Sequence, residues 1–168
     1  MYRTIVQFVH ITDPHLTSLD GLRPGPLALK RWMSWLSWQR KRREVHRPER
    51  LATLISALRR HDPDAWAVTG DLCQIGLIAE IKQARAWLAA LDKPERVLLV
   101  PGNHDIFARD SVVAVREQWR GWMASDDAGA HGPVVRRVGP ISLIGVNSAV
   151  VTPPGFATGR VGASALDR

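Results

Sequence analysis

The sequence predicts an α/β fold built on a parallel sheet, and three observations carry that prediction. Short apolar runs of strand character alternate with longer stretches whose apolar residues recur at helical spacing. Each of the first three strand-like runs ends in a polar loop: Asp13-Pro14-His15, then Gly70-Asp71, then Gly102-Asn103-His104-Asp105. Strand–helix–strand order implies right-handed crossovers, which gather such loops at the carboxyl edge of one sheet.

Taken in order, residues 4–11 read as a buried strand. Within 27–50, Leu29, Trp32, Met33 and Leu36 follow helical spacing, and Trp35 and Trp38 extend the apolar surface. After Pro48, a residue suited to a first helical turn, Leu51, Leu54, Ile55 and Leu58 mark a further helix. Residues 65–69 form a second short strand, and 77–91 a helix striped by Ile78, Ile81, Ala84 or Arg85, and Leu88. The third strand, 96–100, stops at Pro101. Residues 111–123 read as a helix with Val112, Val115, Trp119 and Trp122 on its apolar side. Residues 134–138 and 141–146, split by Gly139-Pro140, read as a hairpin opening a second sheet. A turn-rich tail over 151–162 leads to the start of a helix at 163–168.

At 168 residues and 45% apolar content the chain fits one domain, 1–168, and is too apolar for disorder. Its single cysteine, Cys73, cannot form an internal disulfide, which points to a reducing cytoplasm, and it reads as a small buried hydrophobe. The first residues lack signal-peptide character, and no run of about 18 apolar residues encodes a membrane span. The net charge of +7 is a local feature: residues 27–50 hold eight basic side chains against Glu44 and Glu49, together with three of the seven tryptophans.

A basic, Trp-rich helical insertion is therefore expected at about 22–50, with three readings. Its Leu/Trp face packs over a site rim with the charges solvated; or it lies on an anionic membrane through Arg40, Arg42 and Arg43, each adding about 1 kcal/mol; or, least favoured, it binds nucleic acid. The same arginines can also hold an anionic phosphate substrate.

The three polar runs carry the chemistry. A carboxylate and an imidazole two residues apart, with a carboxylate and an amide from later strand ends, make a mixed oxygen/nitrogen shell that suits Mn, Fe or Zn better than Mg or Ca. Asp-Pro-His and Gly-Asp are ordinary turn chemistry in isolation. A specified tetrapeptide such as Gly-Asn-His-Asp arises by chance in a chain of this length only on the order of once in a thousand.

The ordered set Asp13-x-His15, Gly70-Asp71 and Gly102-Asn103-His104-Asp105 resembles the calcineurin-like metallophosphoesterase superfamily. The run His10-Ile11-Thr12-Asp13-Pro14-His15-Leu16 is similar to its bacterial cyclic-nucleotide-phosphodiesterase-like branch. The resemblance implies a βαβ sandwich of mixed sheets flanked by helices. It implies two divalent or trivalent metal ions (Mn, Fe or Zn), the first held by Asp13, His15 and Asp71, the second by Asp71 and Asn103. His104 is then the catalytic residue, a general acid or phosphate-oxygen contact, with Asp105 in the outer shell.

The chain departs from the family pattern in lacking a later single histidine and a Gly-His-x-His run. After His104 its only histidine is His131, in a Gly-rich loop-like stretch, and Arg168 falls near where the family's next strand comes. The expectation is a C-terminally truncated domain with a nearly empty second metal site and an unfinished edge that favours a homodimer or aggregation. The implied function is hydrolysis of a phosphodiester or phosphomonoester by a water activated between two metals. The rival is a catalytically impaired fragment acting as a membrane- or nucleic-acid-binding module through residues 27–50.

Overall fold

Three short, apolar strands pair in parallel in the order β1-β2-β3: Phe8–Ile11 (β1), Ala65–Thr69 (β2) and Val97–Val100 (β3). The register sets Ile11 beside Val68 and Thr69 beside Val100, so the three chains leave the sheet along one edge. The computed structural model describes residues 5–20, 29–41, 45–127 and 132–163. The expected strand over 4–11 begins at Phe8, and residue 4 lies outside the described residues.

Between β1 and β2 lie helices Leu29–Lys41 (α1) and Pro48–Arg59 (α2), and between β2 and β3 lies Ile78–Leu91 (α3). Pro48 stands in the first turn of α2, where a missing N–H leaves no intrahelical bond unmade. Its inward residue is Ile55, while Leu54 of the expected stripe is half exposed. In α3 the buried positions are Glu80, Ile81, Ala84, Leu88 and Leu91; Ala84 rather than Arg85 completes the stripe, and Ile78 is exposed. A 3-10 turn, Pro94–Arg96, feeds β3. The helix expected over 111–123 is Arg109–Gln118 (α4), and Trp119 and Trp122 follow in turns that still bury both rings.

Alternation along the strands divides the sheet's two faces. Trp66, Val68, Val97 and Leu99 pack with Ile55, Ile81, Leu88, Val115 and Trp119 in one core. Phe8, His10, Ala67, Thr69, Leu98 and Val100 point the other way and, with residues 143–146, line a cavity of about 540 Å³. The second sheet is the expected hairpin, Val134–Val138 (β4) and Ile141–Gly145 (β5), antiparallel about Gly139-Pro140. It crosses β3 closely: a Cβ on Gly145 would lie 2.5 Å from Val100 Cγ2. Buried Arg136 of β4 donates to Val97 O and Ala124 O and pairs with Asp126, which ties the hairpin to the parallel sheet. The helix expected at 163–168 lies outside the described residues but for residue 163.

Helix α1 is turned differently from the apolar stripe. Leu29 and Met33 are 70% and 50% exposed, whereas Arg31 and Trp38 are buried and Trp35 packs against the cluster of Leu19, Trp38, Ile75 and Phe107. Positions 31, 35 and 38 share a helix face, and Arg31 decides which face turns inward. Its guanidinium donates to Ile75 O, Gly76 O and Ser111 Oγ and forms a two-pronged pair with Asp110 at 2.9 Å on each side. A planar fork with five donors can satisfy backbone and carboxylate together, so an arginine that reads as solvated acts as the anchor. Arg40 is exposed on this helix, Arg42 and Arg43 lie outside the described residues, and no described helix is long and apolar enough to cross a membrane.

Replacing Arg31 by Met should cost about 1–3 kcal/mol in urea unfolding, because the Ile75 carbonyl loses its donor and Gly76 O keeps only the Ser111 hydroxyl. Asp110→Asn should cost less, since that carboxylate is 46% exposed. Burial alone raises the Asp110 pKa, but the hydrogen bonds and charge of Arg31 outweigh it and hold the group below the usual carboxylate range. A depressed folded pKa gives stability that is present above the unfolded pKa and lost as pH falls through the folded one. The stability gap between wild type and Asp110→Asn should therefore close on acidification below about pH 4.

Candidate metal centre

The backbone leaves β1 and β2 in a conformation that L-residues rarely adopt. Asp13, His15 and Asp71 have φ of 52°, 42° and 55°, three of the four non-glycine residues with positive φ among the described ones. Such a residue costs of order 1–3 kcal/mol and persists where surrounding contacts fix it. Here the two strand exits run side by side: Asp13 N donates to Gly70 O, His15 N to Asp71 O and Leu16 N to Leu72 O. The third exit is pressed onto the second, since a Cβ on Gly70 would lie 2.5 Å from Gly102 N and one on Gly102 would lie 2.1 Å from Asp71 Oδ1. Glycine is required at both positions for this approach, and Gly70 also has φ of 85°.

The three strained residues thereby converge. Asp13, His15 and Asp71 each offer a ligand atom within 4.8 Å of the others, with His15 and Asp71 buried and Asp13 exposed. Asn103 lines the same cavity wall as Asp13 and Asp71. Burial pushes the Asp71 carboxyl above the usual carboxylate range, and nearby Asp13 adds to the rise; the His104 amide and ring pull the other way. Asp71 Oδ1 accepts from His104 N at 2.9 Å, which binds the second and third loops together.

Both histidines are held through Nδ1 by consecutive carbonyls. His15 Nδ1 lies 2.8 Å from Cys73 O and His104 Nδ1 lies 2.5 Å from Gln74 O, and the two rings meet edge to face with centroids 5.1 Å apart. A carbonyl oxygen can only accept, so in both rings Nδ1 carries the hydrogen and Nε2 is the atom with ligand or base character. Asp105 is fully buried and accepts from Gly102 N and Cys73 N. Burial raises its pKa to about 7 in spite of these bonds. It ties residue 73 to residue 102 from beneath the site.

Glu80 and His46 were not singled out by sequence reasoning. Glu80, 4% exposed, accepts from Gln74 N, Ile75 N and Leu77 N and from Thr17 Oγ1, so it clamps the segment that holds His104. Its position as third residue of α3 is the available signal, because a glutamate there commonly turns back to the chain entering the helix. His46 stands half-buried with its ring 4.5 Å from that of His15, and no spacing rule foretells it. Cys73 is buried as expected, and burial pushes its thiol pKa up. Arg40 is exposed, and His131 lies outside the described residues.

The calcineurin-like phosphoesterase family model matches residues 6–150. The chain belongs to the calcineurin-like phosphoesterase family. No curated protein was found to match it. The mixed α/β architecture, with one parallel and one antiparallel sheet, agrees with a metallophosphoesterase fold, and family membership makes a phosphoester the substrate class. The donor set fits a transition-metal ion: two carboxylates and an imidazole of fixed tautomer, on a backbone whose strain serves their convergence.

Gly102→Ala should place a methyl against Asp71 and force the second and third loops apart. Overpacking of this kind costs about 1–3 kcal/mol. Equilibrium dialysis against Zn should show loss of high-affinity binding in a variant that still unfolds cooperatively. Wild-type metal content in folded Gly102→Ala would show that the glycine contact does not set the site.

Proposed function

We propose that this chain hydrolyses a phosphodiester or phosphomonoester in a metal-dependent reaction at Asp13, His15, Asp71, Asn103 and His104. The observation that carries the reading is the convergence of Asp13, His15 and Asp71, each in a left-handed conformation, at the sheet's carboxyl edge. Asp13, His15 and Asp71 would hold a first cation, and Asp71, with two oxygens, would share a second with Asn103. Bound Mn, Fe or Zn supplies Lewis acidity toward the phosphoryl oxygens and lowers the pKa of water from 15.7 toward about 7.

The chain's own groups then have distinct tasks. Asp71 would hold the cation while its Oδ1 accepts from the His104 amide, so the ligand shell and the acid–base residue share one anchor. In-line displacement forms a bond from the water oxygen to phosphorus and breaks the bond from phosphorus to the ester oxygen. The water proton passes to solvent. The ester oxygen leaves with the bonding pair and takes a proton from Nε2 of the His104 imidazolium, whose Nδ1–H stays on Gln74 O. That carbonyl fixes the direction of the ring. Asp105 supports the reaction without touching substrate, through the Gly102 and Cys73 amides.

Two variants separate binding from chemistry. Asp71→Asn should lose more bound Mn or Zn than Asn103→Ala by elemental analysis, because a bridging carboxylate carries charge that an amide oxygen lacks. His104→Ala should keep its metal and lose turnover of alkyl phosphoesters by about 10²–10⁴. The deficit should shrink for p-nitrophenyl esters, whose leaving group needs little protonation. An equal deficit for both ester classes would exclude His104 as the acid, and metal-independent turnover would exclude the reading as a whole.

A further inference from the structure

Two cavities meet at the candidate centre and divide its residues. Asp13 and Asp71 line the 540 Å³ cavity over the sheet, whereas His104 lines a second of about 270 Å³ on the side of α1; Asn103 borders both. An in-line reaction needs the attacking and leaving oxygens on opposite sides of phosphorus, and His104 is the group that would meet the leaving one. The second cavity is walled by Lys30 and Met33 of α1, by Phe107, and by Phe156 of the tail.

Lys30 is built into this wall. Its ammonium donates to Phe107 O at 2.9 Å and to Thr152 Oγ1 at 3.4 Å, and stands 4.3 Å from the centre of the Phe107 ring. Two of three donors are thus used, and the third remains for a ligand. Thr152 Oγ1 donates in turn to Phe156 O, so the same lysine gathers the tail over the cavity. Arg31, one residue on, locks α1 in the rotation that presents Lys30 here.

We propose that this second cavity is the leaving-group subsite, and that it takes an aromatic or heterocyclic alcohol bearing an anionic or acceptor oxygen that Lys30 contacts. The proposal rests on the phosphoesterase reading above and narrows its substrate to a diester with such a group. The volume sits just below the about 300–1,000 Å³ of pockets for drug-sized ligands, which suits one ring system. Met33, Phe107 and Phe156 supply apolar contact for the ring, and Lys30 supplies orientation. Burial, then the charge of Arg31, hold the Lys30 pKa below the ordinary lysine value, so an incoming anion is welcome there.

The test uses two coloured alcohols of similar acidity, p-nitrophenol and its analogue with a carboxylate beside the nitro group, together with their methyl phosphodiesters. In the Zn-loaded protein with methyl-labelled methionines, the carboxylated phenol should shift the Met33 resonance and leave Met123, packed against the core, unmoved. It should bind about tenfold more tightly than p-nitrophenol, the scale of one charge-assisted hydrogen bond, and its diester should be turned over about tenfold faster. Lys30→Gln should bring both ratios near one. Met33→Trp, at a half-exposed position that tolerates the change, should weaken both phenols in equilibrium dialysis. A Met33 signal indifferent to both phenols, or a preference that survives Lys30→Gln, overturns the subsite. Binding with the predicted preference but no hydrolysis of either diester supports the subsite and removes the phosphoesterase reading instead.

Discussion

The contact between Gly70 and Gly102 is the constraint on which the rest depends. It brings the exits of β2 and β3 to backbone distance, with Asp71 wedged between them, and neither glycine position has room for a side chain. Once these loops touch, the exit of β1 follows through hydrogen bonds donated by the amides of Asp13, His15 and Leu16 to the carbonyls of residues 70–72. The left-handed turns at Asp13, His15 and Asp71 are the consequence of this crossing. Parallel strands alone would splay the three polar runs along the sheet edge; the glycine contact draws them to one point.

A second layer of constraint lies in residues 73–77. Their carbonyls at 73 and 74 orient the rings of His15 and His104, and their amides at 74, 75 and 77 are collected by the Glu80 carboxylate. Arg31 holds the carbonyls at 75 and 76 from the opposite side. Asp105, Glu80 and Arg31, all buried, thus bind most of the amides and carbonyls of this segment and hold it as a template for two imidazoles. The side chain of Gln74 is an exception: both its amide atoms are buried without a protein hydrogen-bond partner.

The sheet, its order of elements and the candidate ligands were legible because they rest on local signals: apolar runs of the right length, helical periodicity, and polar residues placed just past strand ends. Boundaries moved by a few residues where turns continued the burial of a helix, as at Trp119 and Trp122. The rotation of α1 was not legible, because a pattern reading places arginine in solvent, and only the carbonyls of Ile75 and Gly76 and the carboxylate of Asp110 make burial of Arg31 favourable. Glu80 and His46 escaped for the same reason. Each acts on residues distant in sequence, Thr17 for the one and His15 for the other.

The described part of the basic, tryptophan-rich stretch does not leave all its cations in solvent. Charge density alone favours a surface role, since arginines and lysines on a short helix attract any polyanion. Within α1, however, the two cations nearest its start point inward: Arg31 to the loop behind His104 and Lys30 to the loop before α4. Two apolar side chains, Leu29 and Met33, are left at the surface in exchange, and Met33 borders the cavity that His104 also lines. Near its start this helix turns Lys30 and Arg31 inward and shows its methionine, while Arg40 at its far end stays in solvent, so its charge is divided between the interior and the surface.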